Sequence, residues 1–511
     1  MEYSLHSVRA QGRTCGLGIL VHGERSNVVV GPGGAGWGAG VRRGCLMSVA
    51  GTDAAPTLLR HGLFTARLAL PIIVARAALL LMVTVDTVMV GRAGAAELAY
   101  FGLGVAPQVT LMLVAVGGLQ ATAVLAAQAL GANDAFRAGA VARAALVHGV
   151  LLGLAILVLS RFAEGFFLAV GQTPDLSAGA ARVSGAFGYG MPGILVFVAG
   201  NLFLEATGRP KTGMLIMLLA NLINVPLNAV FGFGWGGFVE PGGAEGIMTA
   251  SSLARSFAGV AILVVLMRAA RRDDAFSLIP RRPPLAALAG ALRDPDAREL
   301  RRLGLPMGLA QGVESAAFAT VVMMAGWLGT AQLAAYQTTM TLVSLAFMMA
   351  IGTAGATSIR VGRALGGGDT VGMRRAGWAG ILLGGLWPLP VAALFFFAPE
   401  RAATLISQDP ATIEAASRAL SVAAFMLCAD ASMVVAIGAL RGLGDVWWPT
   451  LLQIGAFWLV AIPVAYATAI ALQLGAGGLI VGLICGVVVS LAGLCLRFAA
   501  KTRAPQPLHS P

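Results

Sequence analysis

The chain has 511 residues, of which 58% are hydrophobic and only 11% are charged, and its mean hydropathy is +0.83. So few charged residues cannot cover the surface of a water-soluble protein of this length, so the composition predicts an integral membrane protein. The formal net charge of +12 does not predict nucleic-acid binding, because the basic residues lie in alternate loops and not in one patch among aromatic residues.

Residues 1–60 contain arginines and many glycines but no continuous apolar stretch of the kind that a secretory signal needs. We expect this segment to be a disordered cytoplasmic tail. Met47 is an alternative start, because the residues after it are typical of the short leader of a membrane protein.

From Leu68 onward, twelve apolar stretches are long enough to cross a bilayer, which takes roughly 20 residues. They predict an all-α integral membrane protein with an N-lobe at 61–269, a cytoplasmic linker at 270–301, a C-lobe at 302–500 and a cytoplasmic tail at 501–511. The arginine-rich linker is most simply a topology signal that faces anionic lipid. The approximate spans are 66–91, 101–131, 138–160, 178–207, 212–235, 245–269, 302–327, 337–366, 376–398, 411–441, 449–472 and 476–498.

The two lobes are copies of one unit, since residues 67–134 align without a gap with residues 302–369. Both copies begin with Arg-Leu-X-Leu-Pro, at 67–71 and 302–306, and both contain Ala-Leu-Gly near the end, at 129–131 and 364–366. Internal duplication of an apolar chain is common among secondary transporters. An even number of spans per copy makes the lobes point the same way, so we predict a transporter with its pathway between two parallel lobes.

Lysine and arginine are concentrated in the loops that come after even-numbered spans and at the C-terminus, whereas the other loops carry mainly acids. Because cytoplasmic loops of membrane proteins are rich in these basic residues, we predict that both termini are cytoplasmic. The expected location is the cell inner membrane.

Ionisable side chains inside the spans are candidates for function, because one at the centre of a span costs about 2.5–3.5 kcal/mol on insertion scales. A carboxylic acid in apolar surroundings binds a proton more tightly than in water, and a nearby cation opposes this, so the acid can exchange H⁺ or take Na⁺ instead. The candidate acids away from the span ends, together with Glu205, are Asp86, Glu314 and Asp430, and the arginines that could pair with them are Arg76, Arg182 and Arg255.

Asp86, Glu314 and Asp430 are the predicted cation-binding residues, with a structural hydrogen bond or ion pair as the alternative for each. Glu205 lies at the end of its span, beside a Gly-Arg-Pro turn, and is interpreted as structural.

Side-chain amides add a candidate cavity lining. Asn221, Asn224 and Asn228 are spaced i, i+3, i+7, which places them on one helix face. Gln311 lies about one helical turn before Glu314 on the same face. We predict that these amides line the substrate cavity, and packing between helices remains the alternative for the asparagines.

Several segments of the sequence resemble a known family. Residues 85–94, Val-Asp-Thr-Val-Met-Val-Gly-Arg-Ala-Gly, followed by Glu-Leu-Ala at 97–99, resemble the first-helix signature of multidrug and toxic compound extrusion (MATE) transporters. Residues 303–306 with Glu314, and residues 333–337 ending in Gln337, are similar to the seventh-helix region of the NorM-like branch. Asp430 followed by Leu-Arg-Gly-Leu-Gly-Asp at 440–445 resembles the same branch. Asn228 stands where some members of the DinF-like branch have Asp, which fits the NorM-like branch better.

The resemblance implies two six-helix lobes that open alternately to each side and export mostly cationic organic compounds in exchange for Na⁺ or H⁺. Glu314 and Asp430 would be the cation-site carboxylates of the C-lobe, Asp86 the protonatable acid of the N-lobe, and Gln337 part of the cavity lining. Apart from the coupling ion we expect no cofactor, and we expect a monomer in the lipid bilayer.

Two other functions are compatible with an apolar chain of this length. A lipid-linked sugar flippase would also be a duplicated apolar chain, but it would need more cavity-lining cations than the arginines within the spans provide. A membrane enzyme such as a prenyltransferase would need an Asp-rich metal motif, and the one adjacent acidic pair, at 273–274, lies in the linker. The sequence has no GxxxxGK[ST] motif for ATP and no CxxC pair among its five cysteines, which indicates neither an ATP-driven pump nor a metal or disulfide framework.

Overall fold

A computed structural model describes residues 58–503, apart from 273, 279–289, 291 and 407–408. The alternative start at Met47, nearly all of the predicted N-terminal tail, a central part of the linker and the last residues of the C-terminal tail therefore lie outside the described residues.

Within the described residues, twelve helices are long and apolar enough to cross a membrane, and no β-strand occurs. This confirms the predicted all-α fold. The helices are α1 Leu58–Ala93, α2 Ala95–Gly131, α3 Ala135–Ser160, α4 Pro174–Ala206, α5 Pro210–Phe233, α6 Gly243–Arg272, α7 Pro295–Trp327, α8 Thr330–Gly366, α9 Thr370–Phe397, α10 Pro410–Gly442, α11 Trp447–Ala471 and α12 Gly475–Arg503.

Several of these helices are interrupted. Helix α2 breaks at Gln120, α4 at Gly190 and α9 at residues 387–388, next to a proline. Helix α11 contains two π-helical turns, at Ala456–Ala461 and Ala467–Ala471. Two short helices, Ala163–Ala169 and Pro399–Ala403, and a 3₁₀ turn at Trp235–Gly237 lie in the loops.

Helix α7 begins at Pro295, whereas the sequence predicted a span from 302, so its first two turns fall in the predicted linker. The early start has a local cause. Asp294 is the N-cap and its carboxylate accepts a hydrogen bond from the backbone N–H of Asp296, while Pro295 occupies the first helical turn, where no donor is missed. Hydropathy alone does not detect a polar first turn of this kind.

The two copies of the repeat fold alike down to their helix caps. Asp134 and Asp369, which are equivalent in the alignment, cap α3 and α9 by accepting a backbone hydrogen bond three residues on. Gly94 and Gly329 both precede a helix with positive φ, at 138° and 98°, which a residue with a side chain rarely adopts. The duplication seen in the sequence is therefore a duplication of local structure.

A further repeated contact joins distant helices. The Glu97 carboxylate accepts a hydrogen bond of 2.6 Å from the backbone N–H of Ala244 at the start of α6. Its equivalent, Gln332, accepts one of 2.8 Å from the backbone N–H of Ala476 at the start of α12. In each lobe the second helix thus satisfies an otherwise free donor at the beginning of the sixth.

Each lobe has its own apolar core. Most of one buried cluster comes from α1 to α6, and another comes from α7 to α12. The lobes meet where α1 packs on α8 and α2 packs on both α7 and α8. We call the end of the molecule where α2, α4, α8 and α10 finish the basic end, because its loops carry the basic residues, and the opposite end the acidic end.

Cross-lobe contacts at the basic end are reciprocal. Gln128 of α2 donates a 2.9 Å hydrogen bond to the carbonyl of Gly442, the last residue of α10. Its equivalent, Arg363 of α8, donates to the carbonyl of Ala206, the last residue of α4. Arg137 of α3 adds ion pairs to Asp296 and Glu299 of α7, at 3.0 and 2.6 Å. The lobes are therefore joined at the basic end by a pseudo-twofold set of contacts.

Glycine makes this approach possible. A Cβ on Gly131 would lie 2.1 Å from the carbonyl oxygen of Arg363, and a Cβ on Gly366 would lie 2.0 Å from that of Gln128. These positions are again equivalent, so α2 and α8 cross at a point where neither helix has room for a side chain.

Candidate functional site

The N-lobe contains a buried acid that is hydrogen-bonded to polar side chains of two other helices. Asp86 of α1 has no exposed surface. It accepts hydrogen bonds of 2.8 Å from the amide of Asn228 on α5 and of 2.5 Å from the hydroxyl of Ser251 on α6. Asn224 donates to Ser251 at 2.7 Å and lies within hydrogen-bond distance of Asn228, which completes a network across three helices.

The predicted stripe of three asparagines is divided by the structure. Asn224 and Asn228 are buried and belong to the Asp86 network. Asn221 is only partly buried, and its amide donates to the backbone carbonyl of Met217 in its own helix. Two of the three predicted side chains therefore join the acid, and the third does not.

Arg255 of α6 supplies the positive charge near Asp86. It is 3% exposed, and its guanidinium lies 4.3 Å from the ring centroid of Phe187, a cation–π distance. Asp86 and Arg255 interact electrostatically, but the ion pairs of the described residues do not include a direct salt bridge between them. One positive charge therefore offsets the one negative charge in this buried network.

The C-lobe brings together the other two predicted acids. Glu314 of α7 and Asp430 of α10 interact electrostatically with each other, and Arg441 of α10 interacts with Glu314. Asp430 is only 7% exposed. The guanidinium of Arg441 also donates a 2.6 Å hydrogen bond to the side chain of Gln120, at the break in α2, and so connects this cluster to the other lobe.

Glu314 lies in a narrow cleft between α7 and α11. The side chain of Gln453 donates a hydrogen bond to its carboxylate, and Thr450 and Phe457 also line the cleft. The first π-helical turn of α11 begins at Ala456, directly after this contact. Single π-turns within helices occur frequently at functional sites, because they shift side chains out of the regular helical pattern.

The remaining candidates take different positions. Gln311 is partly buried and Gln337 is exposed, so neither is enclosed in the acidic cluster. Glu205 is 2% exposed and forms an ion pair of 3.7 Å with Arg76. Arg182 pairs with Glu245 at 3.4 Å, and both side chains are more than half exposed. The arrangement of Glu205 agrees with its interpretation as structural.

The two acidic sites differ in their balance of charges. In the N-lobe, Asp86 is offset by Arg255 and Glu205 by Arg76, so the buried acids and bases cancel. In the C-lobe, Glu314 interacts with the carboxylate of Asp430 on one side and with the guanidinium of Arg441 on the other, so this site has one negative charge in excess when both carboxylates are ionised. An acid pair beside a single guanidinium, held away from water, has the chemistry to accept one monovalent cation or one proton.

A family model, MatE, matches residues 71–230 and again residues 306–467. The chain belongs to the MatE family. The two matches cover the two lobes, so each half carries the family pattern, and the resemblance predicted from the sequence is confirmed. Since this is a family of membrane transporters, the MatE chain is a multi-pass transporter and not an enzyme.

Relatives of this MatE chain include proteins described as "Probable multidrug resistance protein NorM". The one from Pseudomonas aeruginosa is 34% identical, with 85% of this chain and 88% of the relative covered. The one from Deinococcus radiodurans is also 34% identical, with 86% and 95% covered. A solved structure described as MATE in the straight conformation superimposes with a TM-score of 0.78 at 22% identity, covering 88% of this chain and 98% of that one. A bent conformation gives 0.77, so the fold matches both.

Three participants could not be found from the sequence. Ser251, Thr450 and Gln453 are uncharged residues of types that are common in membrane helices, where their hydroxyl and amide groups often serve packing. The sequences of α6 and α11 do not show which face of each helix points toward the carboxylates, because those carboxylates lie on α1 and α7.

Proposed function

We propose that this MatE chain exports organic compounds, mostly cations, across the cell inner membrane in exchange for one Na⁺ or one H⁺. The observation that carries the proposal is the C-lobe cluster, in which Glu314 interacts with both Asp430 and Arg441, so that two carboxylates lie near one guanidinium. The description of the relatives as multidrug resistance proteins supports the class of substrate.

In the proposed cycle, the C-lobe cluster takes up the inorganic cation from outside and gives it up inside. For exchange to occur, the inorganic cation and the organic substrate must favour different conformations. We call the basic end closed because α2 and α8 are in direct backbone contact there, and we propose that this closed arrangement is one of these conformations. We propose that the basic end is cytoplasmic, with both termini on that side, because its loops are rich in Lys and Arg.

Asp86 is proposed as the titratable acid of the N-lobe, which in a one-for-one exchange would bind the proton in place of the C-lobe cluster and not in addition to it. Protonation would remove its charge and weaken the bonds that Asn228 and Ser251 donate to it, which would free α1 to move relative to α5 and α6. Asn221, Gln311 and Gln337 keep polar groups that are not fully buried and are proposed to line the substrate pathway.

Exchange of one monovalent organic cation for one Na⁺ or H⁺ moves no net charge across the membrane. The concentration gradient of the inorganic cation is then the whole driving force. At about 1.4 kcal/mol per factor of ten, a tenfold ion gradient supports a drug gradient of about tenfold.

The flippase alternative requires free cations to hold a pyrophosphate. Arg76 and Arg255, which are mostly or fully buried, are already matched by Glu205 and Asp86, and Arg182 pairs with Glu245 outside the core. This arrangement favours the exporter.

The experiment is efflux of a fluorescent monovalent cation from proteoliposomes, with sodium and pH gradients imposed separately. We expect one of the two gradients to drive efflux by the wild type, and Glu314→Gln and Asp430→Asn to abolish that dependence. Glu400→Gln, an exposed acid in the loop before α10, is the control and should behave as the wild type. Unimpaired coupling in both cluster variants would contradict the assignment, and transport of a lipid-linked sugar without cation efflux would favour the flippase.

A further inference from the structure

A second charged cavity lies in the N-lobe, away from both acidic sites. It has a volume of about 520 Å³ and is enclosed by the start of α5, the end of α6 and the segment 274–278 that comes after α6. The cavity opens at the basic end, where α6 leaves its apolar span.

Among the described residues, the basic side chains that line this cavity outnumber the acidic ones. Three exposed arginines line it, Arg209, Arg268 and Arg272, together with one acid, Asp274. Within the part of the chain that the structure describes, no carboxylate lies within salt-bridge distance of any of the three guanidinium groups. Asp274 is engaged locally, since it accepts a 2.7 Å hydrogen bond from the backbone N–H of Leu278. The lining therefore offers several unpaired donors to an anion.

The wall formed by residues 274–278 is attached to the lobe and is part of its folded structure. The ring of Phe276 meets that of Phe203 on α4 edge to face, with centroids 5.3 Å apart. Arg143 of α3 donates to the carbonyl of Ser277. A Cβ on Gly139 would lie 1.7 Å from the carbonyl oxygen of Phe276, so the segment packs directly on the backbone of α3.

The cavity also has an apolar side. Val265, Phe276 and Leu278 line it with two alanines of α6, and all of these apolar residues are partly or fully buried. A small hydrated anion would gain nothing from these side chains. A phosphate group attached to an apolar chain would satisfy both parts of the lining, because arginine binds phosphate with two parallel hydrogen bonds and the apolar residues cover the chain.

We propose that this cavity binds the phosphate headgroup of an anionic membrane phospholipid. Basic pockets between membrane helices near the cytoplasmic surface are known to bind such headgroups, and clusters of Lys and Arg at this depth are attracted to anionic lipid. The bound lipid would link α5, α6 and the segment 274–278. The proposal does not depend on ion exchange, because none of its residues belongs to the Asp86 or Glu314 sites.

The test uses the full chain purified in detergent, with thermal unfolding followed while a short-chain lipid is added. Dioctanoyl phosphatidylglycerol should raise the unfolding temperature to a saturating value, whereas dioctanoyl phosphatidylcholine and inorganic phosphate should not. Arg268→Gln and Arg272→Gln should each weaken the apparent affinity about fivefold, as expected for about 1 kcal/mol per arginine near the surface. Arg271→Gln, an exposed arginine of the same turn that does not line the cavity, is the matched control and should bind as the wild type.

Three outcomes would overturn the proposal. An equal loss of affinity in Arg271→Gln would mean diffuse surface attraction, saturation by inorganic phosphate alone would mean a soluble anion, and unchanged affinity in both cavity variants would mean no site. If one cavity variant does not fold, the other still gives the comparison. Native mass spectrometry of lipid that purifies with the wild type and with Arg271→Gln, but not with the cavity variants, gives a second reading.

Discussion

The closed basic end depends on two glycines, and replacing either with alanine should open it. A Cβ at Gly366 would lie 2.0 Å from the carbonyl oxygen of Gln128, and one at Gly131 would lie 2.1 Å from that of Arg363. An ordinary carbon–oxygen contact is about 3.4 Å or longer, so α2 and α8 would have to separate by more than about 1 Å. Backbone atoms on both sides prevent a local adjustment by side-chain rotation.

The expected magnitude is set by the cost of overpacking, which is typically about 1–3 kcal/mol per added group. At about 1.4 kcal/mol per factor of ten, Gly366→Ala should shift the ratio of closed to open molecules by about 5- to 150-fold toward the open state. The double variant with Gly131→Ala should shift it further.

The assay is a distance measurement between spin labels at Phe136 and Val371, two exposed and equivalent positions near the starts of α3 and α9, in a cysteine-free background. We expect a longer distance to become populated in Gly366→Ala. Gly91→Ala and Gly326→Ala are matched controls at another equivalent pair, because an added Cβ there meets nothing within 4 Å. If the distance distribution of Gly366→Ala is the same as that of the controls, the contact does not hold the basic end closed.

Two further predictions concern the acidic sites. Arg441→Gln removes the one cation of the C-lobe cluster, so we expect the apparent affinity for Na⁺ or H⁺ to rise and release of that ion to slow, as measured by the ion dependence of drug binding. The control Arg418→Gln, at an exposed arginine of the same helix, should leave the ion affinity unchanged. A weaker ion affinity in Arg441→Gln would contradict the charge count. Ser251→Ala removes a 2.5 Å hydrogen bond to Asp86, and hydrogen bonds to charged groups contribute about 1.5–3 kcal/mol to stability. We therefore expect a lower unfolding temperature in Ser251→Ala than in the control Ser256→Ala on the same helix. Equal unfolding temperatures would mean that the bond contributes nothing to stability.

The sequence predicted the fold more fully than the site. Span length, the gapless repeat and the position of basic loops are each determined by local composition, which is why twelve helices in two lobes could be predicted. The site acids do not follow the repeat: Asp86 is equivalent to Val321, and Glu314 is equivalent to Leu79. The repeat therefore locates the lobes but not the acids, and the acids had to be found as exceptions to the apolar pattern.

Partners of the acids were harder to predict than the acids themselves. The sequence indicates Arg255 only as a possible ion-pair partner, and its position over the Phe187 ring depends on how α4 packs on α6. Whether Asn221 joins Asn224 and Asn228 depends on how α5 is rotated about its axis relative to α1. Helical periodicity places the three side chains on one broad face but does not determine this rotation. Contacts between helices that are distant in sequence are set by tertiary packing, which a single sequence does not contain.

The most direct test of the central claim, that one monovalent inorganic cation is exchanged for each organic cation at the C-lobe cluster, is the response of transport to membrane potential. In proteoliposomes with a monovalent fluorescent cation, we expect a tenfold gradient of the coupling ion to change the steady-state drug ratio about tenfold, and a potential of about 100 mV set with potassium and valinomycin to change it very little. A change of several tens-fold under that potential, the equivalent of about 2.3 kcal/mol for one net charge moved, would contradict it.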